Sequence, residues 1–284
     1  MNVVITGTSS GFGLLTTNTL AAAGHTVFAT MRGITGKNAK AAQAYAGTYG
    51  GRIHVVEMDV TSDASVDKAI TAIAAQTGGA IDAVINNAGR FSMGIQESYT
   101  IADVQSLFDT NVYGPLRVNR AVLPHLRKRR AGVIVNLSSI VGRFSLPTMG
   151  HYSASKFAVE AFSDALRDEV KGLGIDVVMV QPGTFPTEVG NNGLYVGDVA
   201  RDGDYGPVAQ IPKQAGEAMA QMFSGPNAPN AQAVADAILR ILQTPQGQRP
   251  DRVLVDDMTG APVKALNEFY GPKRHDFMTM FGMA

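Results

Sequence analysis

The chain contains no cysteine. Disulfides are therefore excluded, and with them thiolate nucleophiles and thiolate metal sites. Charge of either sign is scarce. Asp, Glu, Lys and Arg make up 17% of the residues, against roughly 25% in ordinary soluble domains. The two signs cancel, at 24 each. Nucleic-acid binding needs a basic face that neutralises phosphates, and this balance offers none. The one basic run, Arg127 to Arg130 before Gly132, reads as the last turn of a helix, where the macrodipole favours cations. No apolar stretch approaches the roughly 20 residues of a membrane span. The chain enters an apolar segment at Val3 with no charged leader before it, so no signal peptide is expected. The five histidines, His25, His54, His125, His151 and His275, lie at no metal-ligand spacing, and no metal is expected. These absences point to a soluble, cytoplasmic protein with neither nucleic acid nor membrane as partner.

What is present is an apolar fraction of 45% in 284 residues, enough to bury a large core without staples. Short runs rich in Val and Ile recur at Val3–Thr6, Thr26–Thr30, Ile53–Met58, Ala83–Asn86, Val133–Leu137, Ile175–Gln181 and Val253–Val255. They lack polar alternation, as strands covered on both faces do. Helical patterns lie between them, near 11–23, 62–76, 101–129, 152–172 and 231–242, with a weaker one near 37–47. Alternating strands and helices predict a doubly wound α/β fold, a mostly parallel seven-stranded sheet with helices on both faces. No linker divides the chain, so a single domain over 1–284 is expected. The rhythm breaks between 186 and 230, a stretch rich in Gly, Pro and Asn with patchy helical signal around Pro212–Phe223. An insertion of this length is usually functional, and it reads as a segment covering a substrate.

The first run leads directly into Thr6-Gly7-Thr8-Ser9-Ser10-Gly11-Phe12-Gly13 and then into a helix. Strand, glycine turn and helix start bring backbone N–H groups and the positive helix end to one place, which suits a pyrophosphate. Gly7 permits the turn, Gly11 the approach of phosphate, and Gly13 close packing of helix on sheet. The hydroxyls of Thr8, Ser9 and Ser10 could add contacts. At the end of the second run, where a carboxylate would select NAD, the sequence reads Ala29-Thr30-Met31-Arg32-Gly33. An arginine suits a ribose 2′-phosphate. NADP(H) is the expected cofactor, with NAD(H) left open.

Tyr152 and Lys156 stand four apart at the start of a helical pattern and share one face of it. A free tyrosine titrates near about 10, and a neighbouring ammonium favours the phenolate. The pair follows the fifth predicted strand, as does Ser139, on the side where α/β sheets bind ligands. A serine hydroxyl there could bind a substrate oxygen. Phe91, Met93, Phe144, Phe185 and Tyr195 lie on loops expected near the pocket mouth, and His151 adjoins the tyrosine. They suggest an apolar substrate. The apolar ending, Phe277 to Ala284, reads as a tail that docks on its own body or on a partner.

Taken together these residues resemble the short-chain dehydrogenase/reductase family, single-domain Rossmann type. Its TGxxxGxG turn is matched by residues 6–13 and its NNAG by Asn86-Asn87-Ala88-Gly89. Asp59-Val60, Asn111, Ser138-Ser139, Tyr152 to Lys156 and Pro182-Gly183 with Thr187 follow in family order. The motifs span 6 to 187, while the last third matches only in architecture. The resemblance implies Tyr152 as the acid/base of an alcohol–carbonyl oxidoreductase, with Lys156 lowering its pKa and holding the nicotinamide ribose. It implies that Ser139, rather than Ser138, orients the substrate oxygen, and that Asn111 holds a relay water. Asp59 and Val60 would contact adenine, and Asn87 to Gly89 would flank the adenosine side. Val180 to Thr187 would cover the nicotinamide. The family also implies a homodimer or homotetramer packed through helices 101–129 and 152–172. Two other functions fit the scaffold less well: an epimerase or dehydratase, whose relatives carry longer C-terminal domains and a different glycine spacing, and a non-catalytic dinucleotide-binding regulator, against which the complete set of Ser139, Tyr152 and Lys156 counts.

Overall fold

A computed structural model describes residues 1–283, apart from 188–192, 195–196 and 226–227. Seven strands form one sheet: β1 (Asn2–Thr6), β2 (Thr26–Met31), β3 (Ile53–Glu57), β4 (Ala83–Asn86), β5 (Gly132–Leu137), β6 (Ile175–Pro182) and β7 (Arg252–Val255). Their order is β3-β2-β1-β4-β5-β6-β7, and every pair is parallel. Each apolar run of the sequence is a strand, within about a residue at either end. Val3, Val4 and Ile5 are all fully buried, because both faces of the sheet are covered. That is why the runs do not alternate.

One face carries α1 (Gly11–Ala22), α2 (Ala39–Ala44) and α8 (Gln232–Gln243), which close over Val3, Ile5 and Val135 with Leu20, Val234 and Ile238. The other carries α3 (Asp63–Thr77), α5 (Gly114–Arg129) and α6 (Gly150–Lys171), with Ile70, Val118, Leu126 and Val170 against Val4, Val84 and Ile134. This is the doubly wound Rossmann-type arrangement. The strand order reverses between β1 and β4, and ligands of such sheets bind in the crevice at that switch point.

The long helical pattern over 101–129 is not one helix. It divides into α4 (Ile101–Phe108), a π-turn over Asp109–Tyr113, and α5. The basic run does close α5, with Arg130 in the left-handed region at φ 51° and Gly132 beginning β5. Within 186–230 the patchy signal is a helix, α7 (Ile211–Ser224), preceded by a 3-10 stretch over Val199–Gln210. The ending is not a loose tail. Helix α9 (Ala261–Met280) takes in the first half of the apolar segment, although Phe277, Met280 and Phe281 stay exposed. Among the described residues, no helix is long and apolar enough to cross a membrane.

Candidate active site

The ends of β1 and β4 are clamped together across the switch point. The Thr6 hydroxyl accepts from the backbone N–H of Asn87 at 3.0 Å and of Ala88 at 2.9 Å. In return the Asn87 amide donates to the carbonyls of Thr6 and Gly7, at 2.8 and 2.9 Å. The glycine turn is fixed by this clamp. Gly7 sits at φ +70°, and a Cβ on Gly13 would lie 2.2 Å from the Gly7 oxygen. Both positions require glycine, for backbone conformation and for close approach respectively. Thr8 does not line the cleft. It is fully buried, its hydroxyl donates to Thr30 O at 3.2 Å, and Tyr45 caps its carbonyl at 2.6 Å. At Ser10, the N-cap of α1, no side-chain hydrogen bond closes the first turn. That leaves its N–H groups with the positive helix end for an anion.

A cleft of about 420 Å³ starts at this turn and runs along the strand ends. At one end it is lined by Gly7, Ser9, Ser10, Gly11, Phe12, Arg32, Asp59 and Val60, and further on by Asn87, Ala88 and Gly89. Arg32 is 57% exposed and its nearest carboxylate, Asp59, is 3.9 Å away. Its guanidinium is therefore only loosely paired. Lys37 and Asn38 join it at this rim. No motif marks them, since they lie on the loop before α2.

The other end is lined by Ser138, Ser139, Tyr152, Lys156, Pro182, Gly183 and Thr187. Three elements bring them together: the end of β5, the first turns of α6, and the end of β6. Ser139 caps the short turn Ile140–Gly142, accepting from Val141 N at 3.3 Å. Lys156 is 7% exposed, and its ammonium donates to Leu137 O at 2.9 Å. It lies 5.8 Å from the Tyr152 ring centre.

Electrostatics here depart from the sequence expectation. Burial pushes the Tyr152 phenol up to about 12, with the Ser139 hydroxyl pulling the other way. Burial also brings Lys156 down to about 8, against the pull of Glu160. Desolvation disfavours both charged forms, so in the protein by itself Lys156 does not lower the tyrosine. Asn111 sits behind the cleft wall in the π-turn. Its carboxamide is taken up by the backbone of Arg90, at 2.8 and 2.9 Å, and by Ser155 Oγ at 3.1 Å.

The aromatic residues divide. Phe91 lines the cleft and meets the Tyr152 ring edge-on at 5.1 Å, and Phe185 lines it against Phe12 at 5.6 Å. Met93 and Phe144 do not line it, and Phe144 is exposed. His151 turns away, its ring 5.0 Å from Tyr99 and its Nε2 3.2 Å from Gln96 O. Tyr195 lies outside the described residues. Ile140, Leu146, Met149, Met219 and Phe223 complete an apolar wall. Met219 and Phe223 stand one turn apart on α7, an i, i+4 signal present in the sequence but not read there. Among the described residues, no cluster of His, Asp and Glu could hold a metal.

The family model for short chain dehydrogenases matches residues 1–193. The chain is 40% identical over 190 residues to the 3-ketodihydrosphingosine reductase of Bacteroides thetaiotaomicron, covering 67% of this chain and 66% of that protein. It is 31% identical over 220 residues to the NADPH-dependent 3-dehydrocapnine reductase of Ornithobacterium rhinotracheale, covering 75% and 76%. A short-chain dehydrogenase of Streptomyces avermitilis superimposes with a TM-score of 0.77 at 30% identity, over 99% of this chain and 96% of that one. The chain thus spans just under two thirds of the length of the first of these relatives. It belongs to the short-chain dehydrogenase family. Its glycine cradle, free helix start and loosely paired Arg32 fit a dinucleotide along the cleft.

Proposed function

We propose that the chain reduces an apolar ketone to a secondary alcohol, or runs the reverse reaction, with NADP(H) and with Tyr152 as acid/base. The carrying observation is that Ser139, Tyr152 and Lys156 share one cleft with the glycine turn, between apolar walls. The bound dinucleotide would supply or accept the hydride. Gly7, Ser9, Ser10, Gly11 and Phe12 would form its pyrophosphate site, with Gly13 packing the helix start against Gly7 behind it. Asp59, Val60 and the Asn87–Gly89 stretch would flank adenosine, and Pro182, Gly183 and Thr187 the nicotinamide. Arg32, helped by Lys37, would take the 2′-phosphate, and the relative named as NADPH-dependent supports that choice.

A phenol held near 12 is protonated at neutral pH, the form that donates a proton to a carbonyl oxygen. Ser139 would hold that oxygen. Lys156 would bind the nicotinamide ribose and return the proton. Because the Asn111 carboxamide is engaged with Arg90 and Ser155, a relay water would rest on the main chain of that turn. In the 186–230 segment of this single catalytic unit, Met219 and Phe223 would close over the substrate. Exposed Tyr113, Leu116, Phe157 and Phe162 on or beside α5 and α6 support a homo-oligomer built through those helices. A protein of this composition would work in the cytoplasm.

The test is a panel of ketones and aldehydes with NADPH and with NADH, followed at the nicotinamide absorbance. Turnover of apolar ketones with NADPH is expected. A protein that binds the dinucleotide and turns over no carbonyl would refute the proposal and favour a regulator.

A further inference from the structure

Behind the lysine, on the side away from the cleft, lies a buried polar cluster. Glu160 is one helical turn beyond Lys156 on α6 and is only 3% exposed. A carboxylate so buried is costly unless it is paired and hydrogen-bonded. Glu160 is both. Gln181 Nε2 of β6 donates to it at 2.8 Å, and Arg252 Nε of β7 at 2.9 Å. The Gln181 carboxamide is in turn oriented by α9, where Asn267 donates to its oxygen at 2.6 Å. That bond leaves the Gln181 amide nitrogen aimed at Glu160.

Arg252, the ionic partner of Glu160, is shared with a second carboxylate. Arg252 also donates to Asp164 at 2.6 Å, and Asp164 is shared with Arg167 at 2.7 Å and with the Tyr270 hydroxyl at 3.0 Å. From the loop after β5, Arg143 stacks on the Tyr270 ring at 4.4 Å. From α9, Arg274 pairs with Asp168. Of these groups, Glu160 stands nearest to Lys156 along α6, one turn away, and its charge favours the ammonium against burial.

We propose that Glu160 is a positioning residue for Lys156: its buried carboxylate, held by Gln181 and Arg252, keeps the lysine in its ammonium form. The physical reason is balance. Lys156 is buried beside an apolar cleft, with one carbonyl, that of Leu137, as its hydrogen-bond partner. Desolvation alone would favour the neutral amine. A fixed negative charge one turn away opposes that without entering the cleft. It therefore leaves the lysine's contacts with ligand unobstructed.

The coupling itself is independent of the proposed reaction; only its catalytic consequence rests on the role given to Lys156 above. The experiment separates the two. Lys156 is titrated by carbon NMR in cofactor-free protein carrying labelled lysine, its signal assigned by loss in Lys156→Met. Glu160→Gln keeps the shape and removes the charge, and the Lys156 midpoint is expected to fall by about one pH unit. Should that variant fail to fold, Glu160→Met with Arg252→Met removes the whole pair, an exchange that buried ion pairs often tolerate; a smaller fall in the same direction is then expected, because the opposing charge of Arg252 leaves with the carboxylate. Glu160→Asp should restore most of the midpoint. An unmoved midpoint in the folded variant overturns the proposal. The alkaline limb of ketone reduction is measured on the same variant and should move down with the midpoint. A midpoint that moves while that limb stays put upholds the coupling and refutes the catalytic role of Lys156.

Discussion

Lys156 is tethered to Leu137: its ammonium donates 2.9 Å to the last carbonyl of β5. The same strand end carries Ser138 and Ser139. One hydrogen bond thus ties the α6 pair to the serine loop, and the three groups that would share a proton are held by one strand terminus.

That tether gives the first prediction, which concerns pH. In the mechanism proposed above, reduction needs a protonated phenol and a charged lysine. With Tyr152 near 12 and Lys156 near 8, the lysine titrates first as pH rises. The kcat/KM for ketone reduction should be flat below neutrality and fall through about 8. Alcohol oxidation needs the phenolate and should gain as pH rises. A pH series in both directions checks the opposite signs.

Tyr152→Phe should lower turnover by roughly 10²–10⁴-fold, the range of general acid–base contributions. Dinucleotide affinity, read by fluorescence titration, should change little, because the task proposed for the phenol is proton transfer. Near-full activity would remove Tyr152 from that role.

Arg32→Ala should weaken NADPH by about 10–100-fold, the worth of a charge-assisted hydrogen bond of about 1.5–3 kcal/mol. NADH, which lacks the 2′-phosphate, should lose far less. Equal losses in paired binding titrations would show that Arg32 does not read the phosphate.

Gly13→Ala places a methyl 2.2 Å from the Gly7 oxygen and 2.5 Å from the Asn87 amide nitrogen. Neither can yield without breaking the clamp between β1 and β4. Overpacking of this kind costs about 1–3 kcal/mol. Urea unfolding should show that loss, together with weakened dinucleotide binding.

Phe223→Ala on α7 should raise KM for long apolar ketones several-fold and leave dinucleotide affinity as it was. A variant that altered both equally would place α7 over the cofactor instead.

Much of this was legible in the sequence, for a physical reason. Strands buried on both faces have to be continuously apolar, so Val3–Ile5 and Val133–Val135 announced themselves. The glycine turn was legible because its steric demands leave few alternatives. What escaped depended on tertiary surroundings. The π-turn at Asp109–Tyr113 inserts one residue into an otherwise helical run, and Pro115 falls in the first turn of α5, where proline is tolerated, so 101–129 looked continuous. Helix α9 holds Gly271 and Pro272 within it, and they disguised it. His151 seemed close to substrate because it adjoins Tyr152, but α6 already begins at Gly150, and the first turn points it at Tyr99. The protonation of Tyr152 and Lys156 is set by burial, which spacing along the chain does not disclose.

The π-turn has one further consequence. Each residue advances an α-helix by about 100°, so one extra residue shifts the phase of everything after it. Helix α4 can face α6 while α5 faces the sheet and α3, although only the π-turn separates the two. The insertion works as a vernier between two surfaces with different tasks. Deleting a single residue from 109–113 would straighten the rod, rotate α5 off its seat against Val60, and pull Asn111 away from Arg90.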